Sequence, residues 1–334
     1  MKKNRLLSFL LVLTVLTGLL GSFPALSVGA IPPPIQISNR EPAILATVNT
    51  AVNLADYSVE LDDGTILAAS NITWYNESSP ITSFTPSEKG VTKVTAKSKS
   101  NSSVSKNIYI VAKATSDTEY VLYNNDFSSS SLDGWNTSLA TGLFSVSNGK
   151  LSIDATSSAN LRIFLPAWLA DFANYRIDAV GTQTNPYDTS RWFSVIFRAQ
   201  PPAASITPYY HMCIRNNMMA AVNENTGTGG IECVSHKSSG YTYYTSTSYT
   251  ESISAAKNYT FSVLAKDRTV QYQVNGDKVI HFTELPSIAT TTNSNVDKGY
   301  IGFQVNKSKL ILDSVKVTIQ ETAPVPPVVN TDTE

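Results

Sequence analysis

Between residues 43 and 319 the apolar residues come in short runs that alternate with polar ones, and each run is soon closed by a turn signal. Residues 43–48, 52–61, 72–74, 90–96 and 107–112 are such runs, separated by Asp62-Asp63-Gly64, by Pro86-Ser87-Glu88-Lys89-Gly90 and by residues 99–103. Runs spaced by roughly 8–12 residues with turn chemistry between them predict a β-sandwich, because a side-chain period of two fits only an extended strand with one buried face. The pattern resumes beyond residue 119. Strands are expected over 144–146, 151–153, 161–165, 175–180, 192–198, Tyr209–Arg215, 259–264, 270–274, 278–282, 300–305 and 310–319. Asn275-Gly276-Asp277 joins two of them, and Asn-Gly between alternating runs is the strongest short hairpin signal. Only residues 168–175 resemble a helical turn. Ser and Thr make up 76 of the 334 residues, so the polarity comes from side chains that suit exposed sheet rather than helix.

Length divides this pattern in two. A single core rarely grows beyond about 250–300 residues. Residues 38–114 form one small sandwich with a single Trp near its centre, and residues 119–320 a larger two-sheet one, with a polar hinge over 113–118. Ahead of both, Lys2, Lys3 and Arg5 precede an apolar run from Leu6 to Leu20, then small residues with Val28 and Ala30 before Ile31. That is the layout of a secretory signal peptide over residues 1–30, and the run is too short for a transmembrane anchor, which needs about 20 apolar residues. Residues 31–37 begin with Ile31-Pro32-Pro33-Pro34, a stiff linker, and residues 321–334 are a Pro-rich linker or tail. The expected location is therefore secreted, extracellular or at the cell surface, with no membrane attachment after cleavage. With 25 basic and 26 acidic residues there is no basic field for nucleic acid or for a membrane surface. Cys213 and Cys233 are compatible with a disulfide in an oxidising compartment and equally with two small buried thiols.

Strand parity nominates a binding face. In the run ending at Arg198, Phe193, Val195 and Phe197 read as core, and Trp192, Ser194, Ile196 and Arg198 share the other face. In Tyr209–Arg215, the residues Tyr210, Met212 and Ile214 read as core, and Tyr209, His211, Cys213 and Arg215 point away. If the two strands pair, one face displays Trp192, Arg198, Tyr209, His211 and Arg215. Aromatic rings beside planar donors are what a sugar surface requires, since pyranose C–H groups stack on rings and guanidinium groups bond hydroxyls. The alternative is an ordinary amphipathic sheet covered by loops. Tyr241, Tyr243, Tyr244 and Tyr249 form a second aromatic cluster, read either as an exposed strip or as a half-buried edge strand.

Catalytic constellations are sparse. Glycoside hydrolysis needs two carboxylates flanking the bond. Among the Glu residues only Glu60-Leu61-Asp62 has alternate acids on one strand, and it lies beside a turn in the small half. No Gly-x-Ser-x-Gly elbow, phosphate loop or His-Glu-x-x-His helix occurs. No catalytic residue is assigned and no cofactor is expected beyond a structural calcium. Asp126 in the first strand region of the large half and Asp313 in the last could form a calcium pair if the ends meet, and exposed strand-edge carboxylates are the alternative.

Residues 38–114, through Ile72-Thr73-Trp74 and residues 86–95, resemble a bacterial immunoglobulin-like domain. Residues 119–320 resemble the concanavalin A-like lectin/glucanase jelly roll, the group with laminin-G-like and keto-disaccharide-hydrolase-like modules. The resembling stretches are Asn125-Asp126-Phe127 with Leu132-Asp133-Gly134-Trp135, residues 144–151, Gly299-Tyr300-Ile301-Gly302-Phe303 and Leu312-Asp313-Ser314-Val315-Lys316-Val317. The resemblance implies a concave face that binds or cleaves glycans. Glucanase members carry Glu-x-Asp-x-x-Glu on a concave strand, and this sequence has no such motif, so the resemblance implies binding rather than cleavage. The expected function is that of an exported, non-catalytic accessory protein for polysaccharide or cell-wall glycan, such as precedes the catalytic domain of a larger secreted hydrolase. The rivals are a hydrolase of the keto-disaccharide type using Glu232 or His211, and a purely structural adhesion protein.

Overall fold

The computed structural model describes residues 34–158, 160–200, 208–220, 229–237, 240–288 and 297–320. The leader expected over residues 1–30, the first residues of the 31–37 linker and the 321–334 tail lie outside the described residues. The protein is all-β. Its helical elements are 3-10 turns of three to five residues, one of them Ala167–Asp171 where the sequence shows its helical spacing. Among the described residues no helix is long and apolar enough to cross a membrane.

The first part carries a five-stranded sheet in the order Ala43–Thr47, Ser105–Lys113, Gly90–Ser98, Ile72–Asn76, Ser79–Ile81. A three-stranded sheet of Ile35–Ile37, Tyr57–Glu60 and Ile66–Leu67 accompanies it. Ile44, Leu54, Val59, Trp74, Val94, Ile108 and Ile110 form the buried cluster of this part. The run expected as one strand over 52–61 is broken. Asn53 turns its side-chain oxygen onto Ala55 N and starts a 3-10 turn, Leu54–Asp56, which inserts Leu54 into the core.

The larger part is a sandwich of two antiparallel sheets. One runs Phe144–Ser147, Lys150–Asp154, Lys309–Ile319, Tyr175–Thr184, Tyr259–Lys266, Thr269–Val274, Asp277–Phe282, and Val121–Asn125 also pairs with Lys309–Ile319. The other is six-stranded: Leu161–Phe164, Tyr300–Asn306, Trp192–Ala199, Tyr209–Arg215, Ile231–Lys237, Gly240–Thr247. Phe193, Val195, Phe197, Tyr210, Met212 and Ile214 of the six-stranded sheet meet Ile177, Phe261, Val263, Tyr272 and Val317 of the other in one continuous core. Phe193 crosses Phe261 edge to face at 5.0 Å, and Phe197 meets Tyr272 at 6.0 Å. Each such ring contributes roughly 1.5–3 kcal/mol through burial. The hairpin turn forms as its sequence requires, with φ of 50° at Asn275 and 88° at Gly276.

The two parts are packed against each other. Strand Ser105–Lys113 turns Ile108 and Ile110 into the small core, and Tyr109 and Val111 into the large one. The Tyr109 ring lies 5.2 Å from Trp168 and 5.4 Å from Phe172, and its hydroxyl donates to Asp171 at 2.7 Å.

Candidate functional site

Trp192–Ala199 and Tyr209–Arg215 pair antiparallel, with Trp192 opposite Arg215, Ser194 opposite Cys213 and Ile196 opposite His211. The outer face of the six-stranded sheet therefore presents rows of side chains. One row runs Arg162, Gln304, Ser194, Cys213, Glu232 across five strands. A second is Asn306, Trp192, Arg215. A third, on the opposite flank, brings in Ile196, His211, Val234 and Tyr243. The centre of the first row is built from small side chains, Ser194 and Cys213, and the flanking rows from large ones. The result is a cavity of about 190 Å³ above Cys213, walled by Trp192 and Arg215 on one side and by His211 and Tyr243 on the other. Tyr241, Arg191, Asn160 and Asn306 complete its rim.

Many of the groups under this cavity are polar and buried. His211 and Glu232 are each 1% exposed. Glu232 Oε2 accepts from Arg215 Nη2 at 2.9 Å, and Arg215 Nη1 donates to Ser190 O at 2.8 Å. His211 Nδ1 lies 2.7 Å from Ser194 Oγ. Burial, with His236 and Arg215 adding positive charge nearby, pulls the imidazole down to about 3, so His211 is neutral at ordinary pH. Its Nε2 has no partner among the described residues, and neither has Asn306 Oδ1. Orphaned buried polar atoms are uncommon, and here they surround an open cavity. Burial raises the Cys213 thiol, which leaves it a poor nucleophile. Tyr241 and Tyr243, on the outer edge strand, remain 40% and 43% exposed.

The expected face is thus only partly assembled from the expected residues. Trp192, His211 and Arg215 line the cavity. Tyr209 is on the same face but fully buried, its hydroxyl donating to Gln304 Oε1 at 2.7 Å and its ring against His211 and His236. Arg198 is elsewhere. Pairing with Tyr300–Asn306 slips between Ile196 and Ala199, and Arg198 takes a φ of 54°, so the strand bulges and parity inverts. Its guanidinium instead donates to the carbonyls of Ala173 and Asp267. Tyr241 and Tyr243 are brought to the cavity by their register opposite His236 and Val234. A slip after Cys233 turns Tyr244 inward, where it meets Ser235. Sequence reasoning left Glu232 out of the binding face, although its parity in Ile231-Glu232-Cys233 places it there.

Cys213 and Cys233 are both free. They sit on neighbouring strands, but Cys213 is paired with Glu232 and Cys233 with Met212, so one faces the cavity and the other the core. Asp313 is held by Lys150 and by Asn258, and Asp126 accepts from Ser128 in its own turn. As a calcium pair they would have to leave those partners. Among the described residues no cluster of three or more His, Cys, Asp or Glu side chains could hold a metal ion.

No family model matches the chain, and no curated protein matches it in sequence. Among solved structures, the carbohydrate-binding module CBM66 from Bacillus subtilis is similar over 54% of this chain and 91% of its own, at 12% identity and a TM-score of 0.37. The catalytic domain of an endo-1,3-beta-glucanase (laminarinase) from Thermotoga petrophila RKU-1 covers 62% of this chain and 100% of its own, at 10% identity and a TM-score of 0.40. Galectin LEC-6 from Caenorhabditis elegans covers 47% and 89%, at 14% identity and a TM-score of 0.30.

Proposed function

We propose that this is an exported saccharide-binding protein whose cavity on the outer face of the six-stranded sheet holds a sugar ring. The observation that carries the reading is the pairing of exposed or half-buried rings, Trp192, Tyr241 and Tyr243, with buried polar atoms that lack partners, His211 Nε2 and Asn306 Oδ1. The rings supply stacking surface, and the orphaned atoms gain hydrogen bonds from hydroxyls. The volume, about 190 Å³, is below the roughly 300–1,000 Å³ of drug-sized ligand pockets and suits a single ring. The first part, as an immunoglobulin-like spacer, holds this face away from whatever the protein is attached to, and the leader over residues 1–30 directs it out of the cell.

A hydrolase is the second reading, because Glu232 and His211 both line the cavity. Binding is favoured over it. Glu232 is the one carboxylate among the described lining residues and is tied to Arg215, whereas hydrolysis takes two carboxyl groups across the bond. Affinity gel electrophoresis over a panel of plant, algal and bacterial polysaccharides tests the proposal. At least one polymer should retard the protein, Trp192→Ala should weaken that retardation at least tenfold, and no reducing sugar should be released. Retardation unchanged in Trp192→Ala rejects the site, and sugar release abolished by Glu232→Gln establishes the enzyme instead.

A further inference from the structure

Arg162 projects onto the same face as the cavity, at the far end of the row that contains Cys213 and Glu232. The three arginines of this region are not equivalent. Arg215 is neutralised by Glu232 at 2.9 Å, and Arg191 by Asp188 at 2.7 Å. Arg162 has Nε and Nη1 buried with no acceptor among the described residues. Its guanidinium carbon is 5.8 Å from the centre of the Tyr209 ring. That ring lies 5.1 Å from His236, which in turn is 4.3 Å from the Tyr241 ring at the cavity rim. A guanidinium with two buried donors that lack an acceptor among the described residues therefore lies at one end of a ring series, Tyr209, His236 and Tyr241, whose other end is the cavity rim. Beyond the opposite rim, Lys307 shares the Tyr187 ring with the already paired Arg191, at 5.3 and 5.6 Å, so Arg162 is the arginine of this face that no carboxylate among the described residues neutralises. Arg162 is half-buried, its two sealed nitrogens cost free energy while they lack acceptors, and a guanidinium fork meets its geometric match in a carboxylate or a sulfate.

We propose that the saccharide held by this face is an anionic one, whose acid group docks on Arg162 while a neighbouring ring occupies the cavity. This rests on the saccharide-binding reading and narrows its ligand to sugars bearing a carboxylate or a sulfate ester. A neutral sugar would fill the cavity and leave Arg162 as it stands. An acidic sugar stacked on Tyr241 would supply the missing acceptors, and the partly desolvated setting would strengthen the contact relative to a surface ion pair.

The test uses the full-length mature protein in affinity gel electrophoresis against two matched pairs: polygalacturonate with its carboxyl-reduced form, and a sulfated galactan with its desulfated form. The acidic member of at least one pair should bind at least tenfold more tightly than its neutral partner. A carboxylate source is indicated by the first pair and a sulfate source by the second. Arg162→Gln should abolish that preference, Arg162→Lys should retain part of it, and Lys278→Gln, an equal charge change on the other sheet, should leave it intact. Equal binding of acidic and neutral forms overturns this inference and leaves the saccharide reading standing. A preference lost equally in Arg162→Gln and Lys278→Gln also overturns it, since the attraction is then diffuse. Absence of binding to all four polymers and to the wider panel above removes the saccharide reading and this inference with it.

Discussion

At His211 the imidazole is sealed from water on the sheet side and held by Ser194, and that setting has a measurable consequence. Its folded value, about 3, lies below the unfolded value of 6.5. Above pH 6.5 the ring is neutral in both states and costs nothing. As pH falls below 6.5 the unfolded chain gains a proton that the folded ring refuses, so stability drops by about 1.4 kcal/mol per pH unit until about pH 3. In thermal melts the parent protein should lose stability relative to His211→Asn as pH falls from 7 to 4.5, the difference between the two isolating this ring from the other titrating groups. The Arg215–Glu232 pair, with side chains 7% and 1% exposed, makes a second prediction at this scale. Arg215→Met strands a buried carboxylate and should cost about 3–5 kcal/mol in urea unfolding, whereas Arg215→Met combined with Glu232→Leu should recover most of that loss. A double variant no more stable than the single one would mean that the pair stabilises the sheet rather than merely compensating its own burial.

Among the elements, the strand Trp192–Ala199 shows both what periodicity reveals and where it stops. The alternation of Phe193, Val195 and Phe197 against Trp192, Ser194 and Ile196 is legible because the pleat allows no other assignment. The parity of Tyr209–Arg215 is legible in the same way, but its pairing with Trp192–Ala199, and hence the meeting of Trp192, His211 and Arg215, stands in the sequence only as a condition. The inversion at Arg198 is not legible there. It depends on a bulge created by a partner strand a hundred residues away, where Gly299 has a φ of 152° and packs against the carbonyl of Ala199. Gly299→Ala drives a Cβ into that carbonyl, and the variant should lose about 2 kcal/mol or more of stability by calorimetry. An unchanged melting temperature would show that the bulge does not need the glycine. The tyrosine strip illustrates a different limit. Tyr241 and Tyr243 share a face by parity, but only the register with Ile231–Lys237 decides that the face is the cavity's. The absence of a disulfide has the same origin, because adjacency of two strands says nothing about which faces the thiols occupy until the register is known.

For the molecule as a whole, the polar segment 113–118 reads as a hinge, yet folded contacts cross it. Tyr109 packs into the larger core, and Glu41 Oε1 accepts from Asn174 N at 2.7 Å. Burial pushes the Glu41 carboxyl up to about 8, with Asn174 and Arg40 offsetting only part of the penalty. The sign is opposite to that of His211. Below pH 4.5 the acid is neutral in both states, and as pH rises towards 8 the unfolded chain gains an ionisation that the folded state resists, so stability falls. In calorimetric scans the parent protein should lose stability relative to Glu41→Gln as pH rises from 5 to 8, and a difference that stays constant over that range would place the burial cost elsewhere. Between pH 4.5 and 6.5 the slopes of Glu41 and His211 oppose each other, so these two groups leave stability level there and lower it on either side. The central claim, that a sugar ring sits on the six-stranded sheet above Cys213, is tested most directly by a crystal structure of the protein soaked with a polysaccharide fragment it binds. The ring should appear between Trp192 and Tyr243, with a hydroxyl on His211 Nε2. Density for the fragment anywhere else on the molecule, with that cavity holding only water, would contradict the claim.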